Sequence, residues 1–321
     1  MTDPMEPTES VSEKQPEILI SASGLQKRYG RSHVLKNINL NVPKGSIYAF
    51  IGPNGAGKTT TLRILLGVIR ARSGEARAFG MDCWRKSYRI RKRLAYVPCE
   101  RGLYERMSGG QFLRFAKKFY PDFRKDIQTE LLDRFRLPLK KRVQAYSTGM
   151  KRQLFLAHAL STGVELLILD EPTHGLDPLV TECVLAEIVL AKQRGVTILL
   201  SSHILGQIER VCDHVGVVNA GETIFEGTLE QLKRYSGFQL RIKLNRAIEP
   251  GDFNLPGVSD VEQFSPTEAA MTIHSELSQL LPRLANLPIG EISYGASDLR
   301  TELLRLYGYK PPKHDDNPQD N

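Results

Sequence analysis

Cysteine and tryptophan are scarce in this chain of 321 residues, with four of the first and one of the second. Cys83, Cys99, Cys183 and Cys212 are widely spaced and form no C-x-x-C pair. That spacing argues against a metal framework or a disulfide network and fits free thiols in a reducing cytosol. Long apolar runs are missing too: none approaches the roughly 18 residues needed to span a bilayer. The opening segment, MTDPMEPTESVSEKQPE, is acidic and polar. It is expected to be neither a signal peptide nor an anchor. The remaining composition, 41% hydrophobic and 25% charged, is ordinary for a soluble globular protein. The length suffices for one large core and a second, smaller domain.

What is present begins with Gly52-Pro53-Asn54-Gly55-Ala56-Gly57-Lys58-Thr59, which fits G-x-x-x-x-G-K-[ST] at every position. Residues 45–51 (GSIYAFI) read as a buried strand, and residues 60–67 (TTLRILLG) as a helix with a glycine stop. A phosphate-binding loop needs that strand–loop–helix setting. Its glycines let backbone N–H groups turn onto phosphate oxygens, and the helix N-terminus adds a favourable dipole. Lys58 is placed to reach the β- and γ-phosphates and Thr59 to set its hydroxyl on Mg²⁺, with Thr60 completing the loop.

Residues 1–16 and 311–321 read as disordered. The apolar runs ILI and INLNV precede the phosphate loop, and a second α/β stretch begins near residue 165 and runs through Val215–Val218. Short apolar strands separated by helices predict an α/β fold. Its sheet is expected to be mainly parallel, with helices on both faces. A helical insert is expected over about residues 101–145. There Phe112, Phe115, Ala116 and Phe119 fall on one helical face and Phe123, Ile127, Leu131 and Phe135 on another. After residue 236 the alternation of Phe238, Leu240, Ile242 and Leu244 opens a small α+β domain, expected to extend to residue 310. The net charge of +8 is concentrated: nine basic residues against two acids lie between Arg70 and Arg93. Nucleic acid or an anionic membrane could explain that run. A solvated helix face explains it as well, since no groove-reading motif accompanies it.

A second motif, Leu166-Leu167-Ile168-Leu169-Asp170-Glu171-Pro172, is an apolar strand ending in two acids. Asp170 is placed to hold Mg²⁺, partly through water, and Glu171 to polarise an attacking water. Gly175-Leu176-Asp177-Pro178 follows, and Leu199-Leu200-Ser201-Ser202-His203 puts a histidine at the end of the next strand.

Together these motifs resemble the ATPase subunit of ATP-binding cassette (ABC) transporters, over about residues 17–236. The resemblance implies a P-loop NTPase core with antiparallel N-terminal strands, and ATP and Mg²⁺ as cofactors. It implies that Tyr29 stacks on adenine, that Asp177 sits in a turn crossing between two ATPase subunits, and that His203 is the switch histidine. It also requires a signature loop that closes over the γ-phosphate of ATP held by the partner subunit. Met107-Ser108-Gly109-Gly110-Gln111 is closer in spelling to the usual L-S-G-G-Q, but position favours Ser147-Thr148-Gly149. Ser147 lies 23 residues before Asp170, whereas Ser108 lies 62 before it, at the start of the insert. Ser108-x-x-Gln111 instead fits a helix capping box flanked by Met107 and Phe112. Cys99, with Glu100 beside it, stands where the family's Q-loop carries glutamine.

The Y-S-T-G-M-K spelling and the C-terminal extension resemble the ABC-2 exporter branch. They imply a head-to-tail ATPase dimer on the cytoplasmic face of a cell membrane, with separately encoded transmembrane permease subunits. Nucleic acid is not expected as a partner. The alternative is a soluble ABC ATPase acting on the ribosome, nucleic acid or an assembly complex without transport.

Overall fold

A computed structural model describes residues 16–99, 104–235, 238–273, 277–296, 303, 306 and 307. Glu100, residues 1–15 and 311–321 of the expected disordered ends, and most of the expected small domain beyond residue 296 lie outside these. The strands are β1 (Ile18–Tyr29), β2 (Ser32–Pro43), β3 (Ile47–Ile51), β4 (Ser73–Ala78), β5 (Met81–Asp82), β6 (Leu94–Val97), β7 (Leu166–Asp170), β8 (Thr197–Ser202), β9 (His214–Asn219) and β10 (Glu222–Thr228). Among the described residues they form one sheet in the order β5-β4-β1-β2-β10-β9-β3-β8-β7-β6. The half β9-β3-β8-β7-β6 is parallel throughout. The β5-β4-β1-β2 ribbon is antiparallel, as expected for the N-terminal strands.

β3, β7 and β8 are buried at every residue because helices cover both faces of the parallel half. The strand period of two then divides each between two cores. Ile47, Ala49 and Ile51 of β3 enter one, with Leu167, Leu169, Ile198 and Leu200. Tyr48 and Phe50 enter the other, with Leu166, Ile168 and Leu199. The first core takes helices α5 (Thr148–Ala159) and α6 (Pro178–Gln193), and the second takes α1 (Lys58–Leu65) through Leu62, Ile64 and Leu65. The β4–β5 ribbon was not foreseen. Its sequence, SGEARAFGMD, has no large apolar residue before Phe79, and only Ala76 and Ala78 of β4 turn inward.

The insert contains α3 (Gly109–Ala116) and α4 (Lys125–Phe135). Ile127, Leu131 and Phe135 of α4 are buried as their spacing requires, and so are Phe112 and Ala116 of α3. Phe119 departs from the expected face and is 64% exposed. The α-helix stops at Ala116, and Lys117–Phe119 forms a 3₁₀ turn, so the helical projection no longer applies. Beyond residue 237, β11 (Phe238–Leu244), β12 (Val258–Ser265), β13 (Glu268–Ile273) and β14 (Ile289–Ala296) form a separate antiparallel sheet in the order β12-β13-β11-β14. Leu240, Ile242 and Leu244 pack there on Leu280 and Leu284 of the helix Leu277–Leu284 as a third core. Leu303 is buried in the first core, and Asn219 Nδ2 donates to the Tyr307 carbonyl at 3.3 Å. Among the described residues no helix is long and apolar enough to cross a membrane.

Candidate functional site

In an open α/β sheet the loops at the carboxyl ends of the parallel strands define a crevice. Here β3, β8, β7 and β6 are neighbours, so four loops meet there: Gly52–Thr59, Ser202–His203, Asp170–Glu171 and the segment at Cys99. A cleft of about 210 Å³ there is lined by Val34, Asn54, Gly55, Lys58, Thr59, Thr60, Cys99, Asp170 and Glu171. The loop needs its glycines. Gly57 has φ 107°, and a side chain there would run into Leu35. One at Gly52 would run into the Val218 carbonyl.

The polar groups of the cleft converge. Lys58 Nζ donates to the Gly52 carbonyl at 2.6 Å and stands 3.7 Å from Glu171 Oε1. The other Glu171 oxygen lies 2.9 Å from His203 Nδ1. Thr59 Oγ1 donates to Asp170 Oδ2 at 3.0 Å, and Ser201 Oγ donates to Asp170 Oδ1 at 2.6 Å. The Ser201 hydroxyl also accepts from the Glu171 backbone N–H at 3.0 Å. Glu171 has φ 52°, a left-handed conformation that a non-glycine residue holds at a cost of about 1–3 kcal/mol. Its carboxylate is thus placed between Lys58 and His203.

Two residues of this arrangement escaped the sequence reading. Ser201 lay inside the quoted segment but was passed over for His203. Arg152, on α5, is 4% exposed and buried against the site. Its Nη1 donates to the Asp170 carbonyl at 3.2 Å and to the Glu171 carbonyl, and its Nη2 donates to the Cys99 carbonyl at 3.1 Å. One guanidinium therefore ties together the ends of β7 and the segment after β6. The available signal was a cation set next to the run of α5 residues, Leu154, Leu156 and Ala157, that packs into the core.

The remaining expected residues lie apart from the cleft. Tyr29 is exposed at the β1–β2 turn, with Lys27 Nζ 5.3 Å from its ring centre. Ser147 and Thr148 are exposed at the N-terminus of α5, where Ser147 Oγ accepts from the Met150 N–H. Gly149 faces the turn before α6, where an added Cβ would lie 2.9 Å from the Gly175 carbonyl. Asp177 caps α6 by accepting from the Val180 N–H at 3.0 Å. Ser108 makes both halves of a capping box with Gln111, at 3.2 and 2.8 Å.

Residues 35–174 match the ABC transporter family. The chain is 39% identical over 229 residues to the bacitracin transport ATP-binding protein BcrA of Bacillus licheniformis, covering 69% of this chain and 75% of BcrA. It is 32% identical over 318 residues to the daunorubicin/doxorubicin resistance ATP-binding protein DrrA of Streptomyces peucetius, covering 92% and 94%. A solved ATP-binding subunit of an ABC transporter superposes with a TM-score of 0.61 at 32% identity, over 68% of this chain and 92% of that one. A fold of this class with a phosphate loop beside an acidic strand end defines a P-loop nucleotide-binding protein. More particularly, the chain belongs to the ABC transporter family, as an ATP-binding subunit.

Proposed function

We propose that the protein hydrolyses ATP to drive an exporter of the ABC-2 type, as one half of a head-to-tail ATPase pair on the cytoplasmic face of a membrane. The observation that carries the hydrolytic part is the Glu171 carboxylate, held between Lys58 and His203 beside a glycine cradle. Lys58 leaves the Gly52 carbonyl for the β- and γ-phosphates, while the loop N–H groups bind phosphate oxygens. Glu171 accepts a proton from the attacking water, and His203 orients that carboxylate and faces the γ-phosphate. The hard oxygens of Thr59 and Asp170 lie 3.0 Å apart and fit Mg²⁺, which would neutralise phosphate charge there. Tyr29 stacks on the adenine. Ser147, Thr148 and Gly149 do not line the cleft of their own chain. That favours a second ATPase subunit whose signature loop completes each site, with Asp177 at the turn between subunits.

The exporter assignment draws support from relatives named for bacitracin transport and for daunorubicin and doxorubicin resistance, the latter aligned over 92% of this chain. Transmembrane permease subunits would be separate chains, docked on the insert between residues 104 and 143. Crosslinking from the insert in native membranes tests this. Adducts with a polytopic membrane protein are expected, and adducts mainly with ribosomal proteins would refute it.

A further inference from the structure

The basic run between Arg70 and Arg93 plays no part in the site described above, and it carries most of the chain's net charge of +8. In the fold its second half becomes a short helix, α2 (Ser87–Arg91), preceded by Trp84, Arg85 and Lys86. Ile90 is fully buried and anchors the helix. Tyr88 and Lys92, two residues to either side of Ile90, therefore project to the opposite face. Lys92 Nζ lies 4.7 Å from the Tyr88 ring centre. Trp84 is 46% exposed and Tyr88 68%. Arg85, Lys86, Arg89 and Lys92 are all exposed and make no ion pair with a described residue. The mounting is firm. Arg91 Nη1 donates to the Leu66 carbonyl at 3.1 Å, and any side chain at Gly67 would collide with Cys83 and Ser87. The patch is thereby fixed to the end of α1, whose first residue is Lys58.

A solvated face would need the cations but gains nothing from half-exposed tryptophan and tyrosine rings among them. Amphipathic rings among uncompensated cations match the boundary of a bilayer, where rings sit at headgroup depth and cations meet phosphates. We propose that Trp84, Tyr88 and the four cations around them form a docking surface for an anionic lipid membrane. The subunit is then held by lipid headgroups as well as by its permease. This rests on the membrane setting proposed above. Vesicle binding needs neither permease nor ATP, however, so failure here would leave that reading intact, and loss of ATPase activity would leave this one intact.

The test is flotation of the purified full chain with vesicles of phosphatidylcholine alone or with about 30% phosphatidylglycerol. Binding to the anionic vesicles only, falling steeply with salt, is expected. The triple variant Arg85→Gln, Lys86→Gln, Arg89→Gln should lower the partition coefficient by about 100-fold, with unchanged ATPase activity and melting temperature. Trp84→Ala should lower it by about 10-fold and leave the salt dependence in place. Equal binding to both vesicle types, no binding to either, or anionic binding that the triple variant retains would each overturn the proposal. So would tighter binding to duplex DNA or single-stranded RNA at the same salt, lost in the triple variant, which would make the surface one for nucleic acid.

Discussion

Arg152→Met removes one charge and keeps most of the side-chain volume, so its effect isolates the guanidinium. Arg152 is buried and donates to the carbonyls of Asp170, Glu171 and Cys99. A hydrogen bond to a charged group is worth about 1.5–3 kcal/mol, and an orphaned buried carbonyl costs about 1–3 kcal/mol. The three contacts share two nitrogens and are not additive, so the expected net loss of folding stability is about 3 kcal/mol. The catalytic consequence is separate. Glu171 holds a strained φ of 52°, and its peptide is clamped by the Ser201 hydroxyl on its N–H and by Arg152 on its carbonyl. Without Arg152 the strain can relax and the carboxylate leaves its place between Lys58 and His203. Turnover should fall by about 10- to 100-fold while the KM for ATP changes by less than about threefold, since the phosphate loop is untouched. Arg152→Lys, a point charge without the planar fork, should restore stability only in part. Urea unfolding and steady-state ATPase kinetics measure both effects. Stability lowered by less than about 1 kcal/mol together with unchanged turnover would refute the reasoning.

Four further outcomes follow from other contacts. Gly110→Asp should leave ATPase activity nearly intact, because an added Cβ would meet nothing nearer than the Leu139 carbonyl at 3.4 Å, an ordinary contact, with Arg114 Nη1 at 3.6 Å in the first turn of α3. Gly149→Asp should abolish activity, partly because any side chain there presses on the Gly175 carbonyl; activity lost in the first and kept in the second would reverse the choice of signature loop. Cys99 meets Arg152 through its backbone, and sulfur is a poor partner for Mg²⁺, so Cys99→Ser should change turnover by less than about twofold in an Mg²⁺ titration. His158 is buried among Phe112, Tyr120 and Phe123 with Nδ1 unpartnered among the described residues, and burial lowers its pKa to about 4. The unfolded chain then takes up a proton near the usual value of 6.5 that the fold refuses until about 4. Stability should fall as pH drops through that window, and His158→Phe should flatten the slope in urea unfolding at pH 4.5 to 7.

The parallel half of the sheet was legible because strands buried on both faces are written as unbroken apolar runs, as in IYAFI and LLILD. The phosphate loop and Asp170–Glu171 could be placed for the same reason, each following directly on such a run. The β4–β5 ribbon was hidden because an edge ribbon that buries only alanines carries no apolar period. Phe119 misled because a helical projection assumes a helix that continues, and α3 stops at Ala116. Arg152 was missed for a different reason. Its role is to satisfy backbone carbonyls from three segments, and nothing in the local sequence marks which carbonyls will converge. Ser108 shows the opposite case. Its resemblance to a signature was close in letters, yet the S-x-x-Q spacing already described the capping box that it forms.

Hydrolysis is proposed to depend on Glu171 in a site completed by a second subunit. Glu171→Gln tests it most directly, by turnover and by size-exclusion chromatography with Mg·ATP. Expected are ATP binding close to that of the unmodified protein, turnover lower by about 100-fold or more, and a stable nucleotide-dependent dimer. Turnover at the unmodified rate, or a strict monomer with ATP bound, would contradict it.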